Sequence, residues 1–106
     1  MPDPEIHEVT LSRFNQLGIV TVYPPLPTEL AAKTRSILKE NWPTEIIAVS
    51  YFPTRFMARF GEEFGETQMR DLGLDMVSAI QSLGLAARLA SGAVSVVDSL
   101  EYQPNA

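Results

Sequence analysis

The sequence predicts an α+β domain, a two-layer sandwich with a ferredoxin-like βαββαβ core and an extra N-terminal segment. Three observations carry this expectation. Runs rich in β-branched residues alternate with two stretches of helical period. The second and third strands are separated by so short a break, Pro53-Thr54, that only a hairpin can join them. Proline and glycine fall at element joints rather than in an interdomain linker. With 106 residues, 45% of them hydrophobic and 20% charged, the chain reads as one domain, 1–106, with a single core.

The first seventeen residues carry two competing periods. Ile6, Val9 or Thr10, Arg13 or Phe14, and Leu17 repeat at helical spacing, whereas His7, Val9 and Leu11 alternate as in a strand. A strand here would pair by hairpin with the next element, and both readings stay open. Gly18–Tyr23 (Gly-Ile-Val-Thr-Val-Tyr) is a buried-strand composition that stops at Pro24-Pro25. Pro27-Thr28-Glu29 opens a helix to Glu40, with Leu30, Thr34, Ile37 and Leu38 on one face. Lys33, Arg35 and Lys39 lie in its later turns, where cations suit the dipole, and Asn41-Trp42-Pro43 ends it.

Glu45–Phe52 reads as the second core strand and Arg55–Phe60 as the third. In the third, Phe56, Ala58 and Phe60 share one side and Arg55, Met57 and Arg59 the other. A helix begins near Glu66 or Thr67, its apolar stripe formed by Met69, Leu72, Met76, Ile80 and Leu83, with Asp71 and Asp75 facing solvent. Gly84 either caps this helix, leaving Leu85–Ala90 as a short strand, or is carried within a helix to Ala90. The strong helix formers of Leu-Ala-Ala-Arg-Leu-Ala favour the longer helix. Ala93–Tyr102 alternates as the last strand, and 103–106 is a tail.

Composition narrows the chemistry. One histidine, His7, and no cysteine leave little for thiol, metal or histidine-based acid–base work, so no metal or cofactor is expected and a catalytic role is disfavoured. The expected state of His7 is an exposed N-terminal histidine beside Glu5 and Glu8. No Gly-x-Ser-x-Gly elbow or phosphate-loop pattern occurs. Phe60-Gly61-Glu62-Glu63-Phe64-Gly65 places acids where an anion would sit, and Glu62, Glu63 and Glu66 lack the spacing of a calcium loop. Tyr23-Pro24-Pro25-Leu26-Pro27 matches a polyproline ligand only as a strand-to-helix joint also would. The formal net charge of −5 works against nucleic acid and anionic membranes, and the basic-Gly-aromatic run of RNA-binding sheets is missing. No run approaches the ~20 apolar residues that span a bilayer. The acidic, proline-bearing start is unlike a secretory signal, so the expected location is cytoplasmic.

Phe56–Asp98 is similar in rhythm to nucleotide-cyclase-type domains, which share a βαββαβ core. Thr54-Arg55 stands where that family carries a metal-binding Gly-Asp, so the resemblance implies no cyclase chemistry here.

A two-layer sandwich leaves one sheet face without helices. The expected occupants of that face are Ile47, Val49, Tyr51 and Met57, rimmed by Arg55 and Arg59: a set of interface residues rather than a catalytic one. The expected function is a small non-catalytic protein-interaction or regulatory module acting through this open face, with self-association as a homodimer expected ahead of binding to another protein. Two alternatives belong to other classes. A dimeric α+β barrel could bind or transform a small hydrophobic molecule, with His7, Tyr51, Arg55 or Arg59 as its polar contacts. An acidic inhibitor could occupy a basic groove of its target through Glu62, Glu63 and Glu66.

Overall fold

The N-terminal segment forms a strand. A computed structural model describes residues 5–51, 54–61 and 65–96 of the chain. In order, the elements are β1 (Ile6–Phe14), β2 (Leu17–Tyr23), α1 (Thr28–Asn41), β3 (Ile46–Tyr51), β4 (Thr54–Arg59), α2 (Glu66–Ser82) and β5 (Ala86–Val96). Of the two N-terminal periods the alternating one prevails, because His7, Val9 and Leu11 all become buried. Phe14 pairs with Leu17 across a two-residue turn, and Asn15 takes the left-handed conformation (φ 53°) that such turns demand and asparagine tolerates.

The five strands form one mixed sheet in the order β3-β4-β2-β1-β5. This differs from the ferredoxin-like order, in which the last strand lies beside the first core strand. Here β1 stands between β2 and β5, antiparallel to the former and parallel to the latter. Residues 6–14 of the N-terminal segment are thus an interior strand of the sheet, not an appendage to it. The second departure concerns Gly84. Its φ of 87° ends α2 at Ser82, and the following residues pair with β1 instead of extending the helix. The Leu-Ala-Ala-Arg-Leu-Ala propensity yields to a strand partner already in place. Residues 97–102 of the expected last strand, and the tail, lie outside the described residues.

Both helices share one side of the sheet and one core. Ala31, Thr34 and Leu38 of α1 are buried, as are Met69, Leu72, Gly73, Met76, Ala79 and Ile80 of α2. They close over Val9, Leu11, Val20, Val22, Phe56, Ala58 and Ala87 of the sheet. Gly18 and Gly73 let the layers approach. A Cβ on Gly18 would lie 2.5 Å from Met69 Sδ and 2.9 Å from the Phe60 ring; one on Gly73 would lie 2.8 Å from Leu11. At the helix ends, Trp42 packs edge-on against Phe60 at 5.7 Å and donates its indole N–H to Asp75 Oδ2 at 2.8 Å. Asp75 is therefore half-buried and joins α1 to α2, while Asp71 is exposed as expected. Behind β2, the buried Thr54 hydroxyl accepts the Leu26 N–H at 2.9 Å and ties the loop before α1 to the start of β4.

Candidate protein-interaction surface

The register of the strands shows which side chains occupy the side without helices. Partners directly opposite one another share a face. Val9 pairs with Val22, Leu11 with Val20 and Val20 with Phe56, which are all core residues. The intervening positions form the other face. Met57 pairs with Ile19, and Ile19 with Ser12. Arg55 pairs with Thr21, and Thr21 with Thr10, whose hydroxyl donates to the Thr21 carbonyl at 3.3 Å. At one end lie Arg59, Leu17 and Phe14; at the other, Tyr23, Glu8 and Arg88, then Ile6.

This face is half apolar and half polar. Ile19 at its centre is only 6% exposed, whereas Tyr23 (69%) and Ile6 (43%) protrude at one end. Arg88 donates to Glu8 through Nε at 3.0 Å and through a second guanidinium nitrogen, so these two charges are matched. Arg55 and Arg59 have no ion-pair partner among the described residues. Arg59 is exposed; Arg55 is half-buried, and its Nε is enclosed with no hydrogen-bond acceptor.

Arg55, Met57 and Arg59 therefore stand together on the helix-free side. Val49 does not join them. It pairs with Phe56 and packs against the core, so its place on the open face is corrected. Tyr51 pairs with Thr54 along the backbone, and Ile47 falls at the register shift between Ile46 and Ala48. The cause is the parity of the β3–β4 hairpin. Tyr51 opposite Thr54 pairs odd positions with even ones, so Ser50 stands opposite Arg55 and Ala48 opposite Met57. The residues that sequence reasoning missed are Ile6, Phe14, Leu17, Ile19 and Tyr23. Their signal was the alternation of His7, Val9 and Leu11 joined to an Asn15 turn.

His7 lies on the opposite side and is 4% exposed rather than free in solvent. Its Nδ1 lies 2.6 Å from the Pro24 carbonyl, which can only accept, so Nδ1 carries the proton. Glu5, 4.0 Å from Nε2, is too distant for a hydrogen bond. The imidazole holds the chain where it leaves β2. His7→Ala should cost about 2–4 kcal/mol, from the vacated volume and the stranded carbonyl. Glu5→Ala should leave urea unfolding unchanged. A loss below about 1 kcal/mol for His7→Ala would remove this structural role.

Comparison with protein-family models, with curated proteins and with solved structures finds no match. The reading of the face therefore rests on its own geometry. A shallow concavity beside the first turn of α2 is lined by Glu66, Thr67, Arg70 and Asp71, none of which belongs to the face. Glu62 and Glu63 lie outside the described residues. Among the described residues, no three His, Cys, Asp or Glu side chains gather as a metal site would require, and no helix is long and apolar enough to cross a membrane.

Proposed function

We propose that the chain is a protein-interaction module that works through the helix-free face of its sheet. One observation carries this reading. The helices seal one side, while the other presents Tyr23 and Ile6 at one end and Met57 between Arg55 and Arg59, two arginines without ion-pair partners among the described residues. Tyrosine, methionine and arginine are the residue types that interfaces favour at their centres. Exposed apolar groups gathered on one face mark a binding surface more often than singly scattered ones do. Residues 6–14 do not cover this face, because β1 lies within the sheet.

Site-specific photo-crosslinking in the cells that make the protein tests the reading. Benzoylphenylalanine at Thr10, exposed on the open face, should give discrete crosslinked species. The same group at Ala32 or Ser78, exposed on the helices, should give few or none. Crosslinks of twice the chain mass would identify a second copy as the occupant; a different mass would identify another protein. Equal crosslinking from both sides, or none from Thr10, overturns the proposal.

A further inference from the structure

We propose that residues 85–90 have a second ordered state, in which they leave β1 and continue α2 as helix. Behind it lies a conflict between local preference and tertiary pairing at one glycine. Leu85-Ala86-Ala87-Arg88-Leu89-Ala90 consists entirely of strong helix formers, and alanine, which strands disfavour, supplies half of it. Residues 86–90 nonetheless belong to β5, and Gly84, at φ 87°, is the break that separates them from α2.

Beyond Gly84 the chain carries the signals that continue a helix and then stop it. The apolar stripe of α2, which passes through Met76, Ile80 and Leu83, runs on to Ala87 and Ala90 at the same alternating steps of four and three. As it stands, α2 has no basic residue in its last turn. Extended to Ala90, with Ser91 as its cap, it has Arg88 in that turn, and Gly92 follows at the position where helix ends favour glycine.

The strand state of these residues is lightly held. β5 lies at an edge of the sheet and bonds to β1 alone, so its first half can leave without opening another ladder. Of residues 86–90 only the small Ala87 is buried, whereas β1 buries His7, Val9 and Leu11. The β1–β5 register also breaks after Val9 and Leu89 and resumes at Leu11 and Val94, which separates the first half of β5 from the second. Two side-chain ties must part: Gln81 Nε2 donating to the Ala87 carbonyl at 3.2 Å, and Arg88 donating to Glu8. Their release opens the outer edge of β1 from Ile6 to Val9, so the two states are a closed and an open sheet edge.

Carbon-13 saturation-transfer spectroscopy of the isotope-labelled full chain and of Gly84→Ala tests the switch. A Cβ at position 84 meets no atom within 4 Å, so the substitution acts through the backbone alone. It disfavours the left-handed conformation and favours helix, which together raise the ratio of helix to strand state by roughly 30-fold. A state held by about 0.1% of molecules would then reach about 3%. The expected result is a second state in Gly84→Ala whose Cα shifts at 85–90 are helical. Adding Ala86→Thr, a β-branched residue opposite Ile6, should lower that state by at least about threefold. A single state in Gly84→Ala, or a second state with random-coil shifts at 85–90, overturns the proposal. So does an unfolded Gly84→Ala chain, since the helical state would have given it an ordered alternative, and so does a population that Ala86→Thr leaves unchanged.

Discussion

Phe56→Ala should lower the unfolding free energy by about 3–5 kcal/mol, and Met57→Ala by about 1 kcal/mol or less. Phe56 is fully buried between Val20 and Val49 in the core, while Met57, the next residue of β4, is half-buried on the face without helices. A domain of this size has about 5–15 kcal/mol in total, so the first substitution removes a large share and the second little. Urea unfolding of the two variants measures the difference. The contrast is a direct test of which side of β4 faces the helices. Comparable losses would mean that both sides of β4 are covered, and the open face would then have no physical basis.

Gly18→Val should cost on the order of 3 kcal/mol, although valine is the better strand former. The added Cβ meets Met69 Sδ at 2.5 Å and the Phe60 ring at 2.9 Å, so α2 must lift or both side chains must leave their rotamers. Met69 is fully buried and cannot swing into solvent. The smaller Gly18→Ala should be less costly, and pairing it with Met69→Ala should cost less than the two single losses together, because the truncation opens the space the methyl needs. Additive losses would show that the close approach at Gly18 is not what limits the substitution.

Much of the helix layer was legible because periodicity reports burial directly. Met69, Leu72, Met76 and Ile80 are buried as their spacing predicts, and Thr34 and Leu38 face the core from α1. Sheet order was not legible, because nothing local in β5 says whether it pairs with β1 or β2. That choice belongs to the tertiary structure, and it also decided the end of α2 at Gly84. The misplaced face of β3 has a narrower cause. A strand's alternation shows which residues lie together but not which side is inward, and the hairpin supplies that information. With Tyr51 opposite Thr54, odd residues of β3 align with even residues of β4. Val49 was therefore bound to the same side as Phe56, a constraint present in the sequence once the turn length is granted. Asp75 differs again: its partner, Trp42, lies 33 residues away, and no spacing rule announces such a pair.

The interior position of β1 also sets the order of events while the chain is being made. Its inner partner emerges almost at once, since Thr10 and Thr21 are 11 residues apart. Its outer partner comes much later, with 80 residues between Glu8 and Arg88. At about 5–20 residues per second, a ribosome leaves one edge of β1 open for roughly 4–16 s. A two-stranded hairpin is marginal alone, so the early β1–β2 pair waits as a fluctuating template with a free apolar edge. That wait, until β5 emerges, is thus the interval in which a nascent chain is open to pairing with a neighbour on the same messenger.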